Sequence, residues 1–399
     1  MQRLVNWFVQ VYTVGLLSLR TIPQRFSSSA ATVVGVAGVV TVFVAVLSIG
    51  EGFRATLAET GSPSTALVMR GGADTEMMSL VSQEDARIIQ DAPGIGRSDH
   101  GPEASPEMLV IVDVPKISTG TDANVAVRGV TPVAFQVRTN LHILAGRNFT
   151  PGKNEIIVGA GAAREFAGLQ VGDVKRWSKT DWTVVGLFTD GGSVSESEIW
   201  ADLNVLQGAY NRGTIVSAVY AHLASPSQFD GFKSALTTDP RLNVKVVRET
   251  EYFADQSTFL TSVVTKLGYN IAAMMAIGAI FGAINTMYSA VAARTREIAT
   301  LRALGFGGGP VVISVIAESI VLAVLGGLIG GSLAYFVFNG YHASTINWQS
   351  FSQVAFAFRV TPSLLIQGFV YSVVIGVVGG LFPAVRAART SVAAALREL

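Results

Sequence analysis

The sequence contains an apolar run from Tyr269 to Ala293 that is followed at once by arginines. About 20 apolar residues in a helix, each rising about 1.5 Å, span the hydrocarbon of a bilayer. The run therefore predicts a transmembrane helix. Because arginine is enriched in cytoplasmic loops, Arg294, Arg296 and Arg302 indicate that this end of the helix faces the cytoplasm.

The basic stretch after this run predicts a short amphipathic helix between two membrane spans. Ile298, Leu301 and Leu304 recur at helical spacing, Gly305 and the glycines at 307–309 end the helix, and a second apolar run follows. A helix in this place suits the docking of a soluble partner. The expected contact residues are Arg294, Arg296, Glu297, Ile298, Leu301, Arg302, Leu304 and Gly305.

Composition agrees with a membrane protein. The chain has 399 residues, half of them apolar, and only 14% are charged, against roughly 25% in soluble proteins. A net charge of +1 provides no basic field for nucleic acid. The chain has no cysteine, and its four histidines are widely spaced, so no metal motif is visible.

The acidic residues outline one large soluble domain. Of 28 acidic residues, all but Glu297, Glu318 and Glu398 lie between Glu51 and Asp255. Short segments rich in Val and Ile, such as 109–114 and 155–158, predict strands, and helical segments alternate with them. The expected fold is an α-helical four-span transmembrane domain with a large inserted α+β extracytoplasmic domain, in which residues 98–150 could form a second subdomain.

The charge distribution places both termini in the cytoplasm. The three cytoplasmic segments hold nine arginines against two acidic residues. Pro383 marks the inner end of the last span or a kink. The predicted segments are a cytoplasmic-surface amphipathic helix at 1–29, a span at 30–50, the extracytoplasmic domain with its stalk at 51–262, a span at 263–293, the cytoplasmic turn at 294–310, a span at 311–338, a short outer loop at 339–362, a span at 363–385 and a cytoplasmic tail at 386–399.

The first 29 residues have one alternative interpretation, the charged leader of a signal peptide. Their apolar run begins late, is too long, and lacks a small-x-small cleavage site. The helical spacing instead favours an amphipathic helix on the membrane surface, with apolar positions Leu4, Val5, Phe8, Val11, Tyr12, Leu16 and Leu19.

No catalytic or nucleotide site is visible. The phosphate-binding pattern G-x-x-x-x-G-K-[ST] does not occur in the sequence, so ATP would be bound by another subunit. The turn GGSVSESEIW holds Ser193, Ser195 and Ser197 beside Glu196 and Glu198, but no histidine is adjacent. Without a nucleophile elbow, this turn is expected to be a solvated loop before a strand.

Glu318 is the only acidic residue within a predicted span. An ionisable group inside the membrane suggests proton coupling or substrate contact. The favoured alternative is a structural role, in which Glu318 bonds a neighbouring helix or one of the nearby arginines. A proton-driven carrier would usually have more buried charges and internal repeats.

Glycines recur four residues apart in the spans, which places small residues on one helix face. They are expected to pack the four helices of one protomer, to form the seam of a homodimer, or both. The residues concerned are Gly278, Gly282, Gly326, Gly330, Gly331, Gly376 and Gly380, with Gly327 pairing with Gly331.

Four motifs, in the correct order, resemble FtsX/MacB-like ABC transporter permeases. R-T-R-E-I at Arg294–Ile298 is the most specific. The others are L-S-I-G-E-G-F at Leu47–Phe53, G-R-N-F-T-P-G-K-N-E-I-I-V-G at Gly146–Gly159, and a closing F-P-A-V-R-A-A-R-T-S-V-A-A-A-L-R at Phe382–Arg397.

The resemblance implies a permease, not an enzyme, in the bacterial inner membrane. A second permease copy and a separate cytoplasmic ATPase subunit, which binds ATP and Mg and docks on the turn after span two, are implied. ATPase closure would move the periplasmic domains, a mechanism called mechanotransmission. A periplasmic adaptor and an outer-membrane channel are the further partners of an exporter. The resemblance leaves two alternatives to export: an FtsX-like regulator of an envelope hydrolase, and a Lol-like lipoprotein extractor.

Overall fold

The computed structural model describes residues 7, 9–15, 26–99 and 101–389. Residues 9–15 are helical; Leu4, Val5, Phe8, Leu16 and Leu19 of the predicted surface helix, and residues 390–399 of the predicted tail, lie outside the described residues. The labelled helices are α1 (Phe26–Ala58), α2 (Gln83–Gln90), α3 (Ala134–Val137), α4 (Ala160–Glu165), α5 (Leu203–Ala209), α6 (Phe229–Thr237), α7 (Glu249–Ala293), α8 (Thr295–Ala303), α9 (Gly308–Phe338) and α10 (Pro362–Arg389).

The strands are numbered in the same order. They are β1 (Thr65–Arg70), β2 (Arg97–Ser98), β3 (Gly101–Pro102), β4 (Ala104–Pro115), β5 (Asp122–Val130), β6 (His142–Gly146), β7 (Glu155–Gly159), β8 (Val174–Trp177), β9 (Thr180–Thr189), β10 (Ile199–Asp202), β11 (Ala218–His222), β12 (Val244–Arg248), β13 (His342–Asn347) and β14 (Ser352–Ala357).

The chain divides into two compact units. The membrane unit comprises residues 1–51, 263–341 and 359–399, and the α+β unit comprises residues 52–262 and 342–358. Four helices, α1, α7, α9 and α10, are long and apolar enough to cross a membrane. The expected four-span architecture with one large inserted α+β domain is confirmed.

The membrane unit is built on valines of α1. Val36, Val40 and Val44 are buried in a cluster that also contains Leu364 and Ile375 of α10. A second cluster, near the start of α9, joins Met287 and Val291 to residues of α9 and α10. Helix α10 continues through Pro383 to Arg389, so this proline does not end the helix.

The α+β unit contains one mixed ten-stranded sheet in the order β12-β1-β11-β4-β5-β10-β7-β9-β6, with β8 paired to β9. Most pairs are antiparallel, while β5–β10 and β7–β9 are parallel. Residues 98–150, expected to form a possible second subdomain, supply β4, β5 and β6 to this same sheet. Buried Val110, Val112, Val125 and Val127 belong to its main core.

Strand β4 joins the two halves of the sheet. Its first residues, Ala104–Glu107, pair with β11, and the following residues, from Met108 to Pro115, pair with β5. One face of β4 carries residues 108, 110, 112 and 114, which are all buried in the core. This explains why valine alternates along this part of the sequence. Ser82 caps α2 by accepting a hydrogen bond from the Asp85 N–H.

The predicted outer loop at 339–362 is wrong in one respect. It contains the hairpin β13–β14, which belongs to the α+β unit. Alternate residues of β14, including Val354 and Phe356, are buried. This period of two is typical of a strand with one face on a core.

Candidate functional site

The short helix α8 occupies the position predicted for docking. It follows α7 after a break at Arg294, whose backbone is non-helical (φ −113°, ψ 15°), and it ends before Gly305. Gly305 has a φ of +95°, a left-handed conformation that favours glycine. The chain can therefore leave α8 and turn into α9 within a few residues.

Arg294 and Glu318 form a buried ion pair in the membrane unit. The Arg294 Nη2 donates to Glu318 Oε2 at 2.7 Å, and Glu318 is 1% exposed. The pair joins the residue that precedes α8 to the middle of α9. Arg294 was predicted to contact a partner, but its side chain lies inside the protomer. The favoured structural role of Glu318 agrees with this geometry.

The other predicted contact residues divide into an inward and an outward set. Ile298 packs against the cluster formed by α7, α9 and α10, and Leu301 and Arg302 are half-buried. Arg296 and Glu297 are exposed, and Leu304 is 73% exposed. Arg296, Glu297 and Leu304 are therefore the predicted contact residues that remain accessible to a partner.

The predicted packing glycines also divide into two sets. A Cβ at Gly326 or Gly330 would collide with α1, and one at Gly376 or Gly380 would collide with α9. A Cβ at Gly331 would reach Leu365 at 3.5 Å, an ordinary contact. These glycines let helices of one protomer approach closely.

Gly278 and Gly282 differ, because a Cβ at either position would meet no atom within 4 Å. They lie on α7, on which Met274 and Phe281 are 69% and 67% exposed. This face of α7 is therefore not used for packing within the described protomer.

The α+β unit contains a buried charge cluster that the sequence did not reveal. Arg128 of β5 binds Glu76 and Glu198 at 2.7 Å each and Glu107 at 3.1 Å. Arg138 binds Glu107 at 2.6 Å. Burial alone would raise the pKa of Glu107, but Arg138 and Arg128 hold it below its ordinary value. A sequence signal existed, since Arg128 interrupts the apolar strand V-A-V-R-G-V.

The serine- and glutamate-rich turn belongs to this buried region, so the prediction of a solvated loop is wrong. Residues 194–197 form a single 3-10 turn, and Ser193 to Glu198 are all buried. Glu196 accepts hydrogen bonds from the N–H groups of Asp190 and Gly192. These bonds, and the pairing of Glu198 with Arg128, satisfy the carboxylates that composition alone placed in solvent.

Three elements meet around this turn. The Ser197 Oγ accepts a hydrogen bond from the Ala355 N–H of the hairpin, and Thr60 Oγ1 accepts one from the Val194 N–H. The hairpin also bonds α7, because Asn347 donates to Gln256 at 2.6 Å. The end of α1, the start of α7 and the hairpin between α9 and α10 therefore all bond within the α+β unit. Each belongs to a segment that continues into a membrane helix.

Within residues 26–99 and 101–389, no group of three His, Asp or Glu side chains is placed to hold a metal ion. The serines of the 193–198 turn are buried and bonded to neighbouring backbone and side-chain groups, as Ser193 is to Asp190 at 2.5 Å.

Comparison with known proteins identifies both halves of the chain. Residues 29–239 match the family model of the MacB-like periplasmic core domain, and residues 270–392 match that of the FtsX-like permease C-terminal region. A macrolide export ATP-binding/permease protein MacB from Bdellovibrio bacteriovorus is 25% identical over 91% of this chain. The chain spans 58% of the length of that relative.

Two further proteins are similar to parts of the chain. The uncharacterized ABC transporter permease YknZ of Bacillus subtilis is 30% identical over 35% of this chain and 32% of its own length. The extracellular domain of a YknZ from Gram-positive bacteria matches with a TM-score of 0.36 at 17% identity, over 46% of this chain and all of that one.

The periplasmic region of MacB from Actinobacillus actinomycetemcomitans also has a TM-score of 0.36, at 13% identity, over 47% of this chain and 90% of that one. The assignment rests on the two family models, the first of which covers more than half of the sequence. The chain belongs to the FtsX/MacB-like permeases of ABC transporters.

Proposed function

We propose that this chain is the permease subunit of an ABC exporter that works by mechanotransmission. One observation carries the proposal. The Arg294–Glu318 pair fixes the start of α8 to α9, while Glu297 and Leu304 stay exposed. A force applied to the exposed side of α8 would therefore be transmitted to α9 through the ion pair and to α7 through the chain at Arg294.

The same motion would reach the α+β unit through continuous elements. Helix α7 runs without interruption from Glu249 to Ala293, through the position at which the units divide. At its start, the Tyr252 hydroxyl accepts a hydrogen bond from the Glu76 N–H, and Glu76 in turn binds Arg128. A displacement of α7 would thus act directly on the buried charge cluster of the sheet.

ATP hydrolysis is assigned to a partner. The 399 residues contain no phosphate-binding loop, so a cytoplasmic ABC ATPase, a separate subunit in our proposal, would bind ATP and Mg and dock on α8. The arginines at both ends of the sequence and at 294–302 favour cytoplasmic termini and an inner-membrane location, with the α+β unit in the periplasm.

Export is the function that the relatives favour, because the MacB proteins are named for macrolide export. Substrate would be taken from the periplasm or the inner membrane, and the α+β unit would work with a periplasmic adaptor and an outer-membrane channel. The exposed face of α7 around Gly278 and Gly282 suits a second permease copy.

Co-purification with a candidate ABC ATPase, co-expressed from the same genome, tests the docking site. We expect stoichiometric capture by the native chain and loss of capture with Leu304→Asp or Glu297→Lys. Leu144→Asp is the matched control, because Leu144 is 59% exposed but lies in the α+β unit. Leu304 is a better target than Leu301, because Leu301 is half-buried and its substitution by Asp would also disturb packing.

Two results would contradict the proposal. Capture that is equal for the native chain and both α8 variants would show that the ATPase docks elsewhere. ATPase stimulation in reconstituted vesicles that is unchanged by Leu304→Asp would show that α8 does not transmit the coupling.

A further inference from the structure

Strand β4 has an open edge in the middle of the sheet. In an antiparallel pair, alternate residues direct both their N–H and C=O groups away from the partner strand. On β4 these are the odd-numbered residues: Glu107 C=O accepts from the Ser217 N–H, Leu109 N–H donates to Ser217 Oγ, and Pro115 C=O accepts from the Ala167 N–H. Ile111 and Asp113 lie between these bonded ends.

No strand covers this interval. Strand β11 pairs only as far as Glu107, and the next bridge on this side is Lys116 to Phe166. The outward N–H and C=O groups of Ile111 and Asp113 thus have no backbone partner among the residues that the structure describes. From residue 109 to residue 115, six steps of about 3.3 Å each place the two bonded ends about 20 Å apart, and the open edge lies between them.

A cleft lined by both apolar and polar residues lies beside the same edge, within the α+β unit. It has a volume of about 260 Å³ and includes Leu109, Val110 and Ile111 in its wall. Met77, Leu80 and Ile215 also line it, and they are 36%, 47% and 39% exposed. The volume is below the roughly 300–1,000 Å³ typical of pockets for drug-sized ligands, and it suits one or two amino-acid side chains.

The charge in the cleft is positive. Arg212 lines it, is exposed, and forms no ion pair with a described residue. An occupant with an acidic group near one end would complement this guanidinium. Backbone donors and acceptors in a row, a cleft with apolar side chains in its wall and a cation are together complementary to an extended peptide.

We propose that the β4 edge binds an extended polypeptide segment by strand addition. The segment pairs its backbone with Ile111 and Asp113, places an apolar side chain in the cleft, and sets an acidic group against Arg212. In strand addition, main-chain hydrogen bonds supply affinity and the side-chain cleft supplies selectivity. This binding site goes beyond the proposed permease function and does not depend on ATPase docking.

The test uses the full chain in lipid nanodiscs and a synthetic probe, fluorescein-Thr-Val-Thr-Leu-Thr-Val-Glu. A second probe has the same sequence with every backbone amide N-methylated, so it keeps the side chains but loses the N–H donors. Fluorescence anisotropy measures both. We expect the unmethylated probe to bind and the methylated probe to bind at least about tenfold more weakly.

A matched pair of variants locates the probe. Leu80→Asp puts a charge into the cleft and should weaken binding about tenfold, since the apolar side chain of the bound probe would cover this carboxylate and remove it from water. Met78→Asp introduces the same charge at a neighbouring residue that is 66% exposed and does not line the cleft, and binding should change less than about twofold. Both positions are exposed, and circular dichroism of each variant checks that the fold is retained.

A quencher attached through Thr214→Cys gives an independent position, because the chain has no native cysteine and Thr214 is exposed next to Ile215. Quenching of the bound probe is expected. The proposal is overturned if the unmethylated probe does not bind at millimolar concentration, or if the methylated probe binds equally well. Equal effects of Leu80→Asp and Met78→Asp would also overturn it. A further result would overturn it: the native chain does not bind the probe, and Leu80→Asp converts a dimer of the chain into a monomer. That result would assign the edge to a second copy of this chain.

Discussion

The Arg294 guanidinium lies 2.7 Å from the Glu318 carboxylate, with the two side chains 11% and 1% exposed. The pair connects the start of α8 to the interior of α9. Paired charges inside an apolar helix bundle cost little more than an apolar pair, but a single remaining charge is costly. The geometry thus predicts which substitutions the coupling region tolerates.

Loss of either charge alone should destabilise the membrane unit. We expect Glu318→Leu or Arg294→Met to lower the free energy of unfolding by about 3–5 kcal/mol, because each removes one partner of a buried ion pair. The double variant should recover most of that loss. Thermal aggregation in detergent, followed by size-exclusion chromatography, ranks the stabilities of the two single variants and the double variant. A double variant less stable than both single variants would contradict the explanation.

Arg128 should be essential for the stability of the α+β unit. Arg128→Met leaves Glu76 and Glu198 buried without their cation, and we expect a loss of about 3–5 kcal/mol. Arg147→Met is the control, because Arg147 pairs with Glu155 while its side chain is 54% exposed. Its effect should be far smaller, since water screens surface pairs. Chemical denaturation followed by tryptophan fluorescence compares the two, and equal losses would refute the role of burial.

The cluster should make stability sensitive to acid. Because the pKa of Glu107 is lower in the folded chain than its ordinary 4.5, its ionised form contributes stability that is fully present above that value. This contribution is lost as the pH falls through the lower folded-state pKa. Glu107→Gln should therefore be less stable than the native chain at pH 7, and the difference should narrow below pH 4.5. Melting temperatures between neutral and acidic pH give the result, and a constant difference would contradict it.

For Asp190 we expect the opposite effect of ionisation on stability. Burial raises its pKa, so its ionised form weakens the folded state at neutral pH and this effect disappears as the carboxyl is protonated. Asp190→Asn can still accept the hydrogen bond from Ser193. We expect the variant to melt at a higher temperature than the native chain at pH 7 and to converge with it in acid. A lower melting temperature at pH 7 would show that the carboxylate charge is needed there.

The packing glycines should respond differently from the exposed ones. Alanine within a helix is intrinsically favoured over glycine by about 1 kcal/mol, so Gly278→Ala should be neutral or slightly stabilising. Gly330→Ala should instead destabilise the bundle by about 1–3 kcal/mol, because its methyl group collides with Ala37 of α1. Thermal stability in one detergent distinguishes them, and equal effects would show that α1 adapts without cost.

A homodimer along α7 should be detectable by cross-linking. The native chain lacks cysteine, so Gly282→Cys introduces a single thiol on the unpacked face of α7. We expect a disulfide-linked dimer in oxidised membranes, because the Cα atoms of a disulfide must approach to about 6 Å. Val370→Cys, 54% exposed on α10, serves as the control. Cross-linking of Val370→Cys alone would move the dimer seam to α10.

Local sequence determined the membrane architecture. A run of about 20 apolar residues is sufficient for a span whatever its neighbours are, because each residue must avoid water independently. The end of α8 before Gly305 could also be predicted from the sequence, since the left-handed conformation that often ends a helix favours glycine. Enrichment in Val and Ile predicted strands such as β4 and β7 for a similarly local reason.

Tertiary structure decided where the polar groups lie. Glu196 and Glu198 lie in a segment whose composition is typical of a solvated turn, yet both are buried. Backbone N–H groups donate hydrogen bonds to Glu196, and Arg128 forms an ion pair with Glu198. The partner of Glu318 lies 24 residues away, and Arg128 collects carboxylates from positions 52 and 70 residues distant. A charge can be buried only where such a partner is brought to it, and folding of the whole unit, not the neighbouring sequence, supplies that partner.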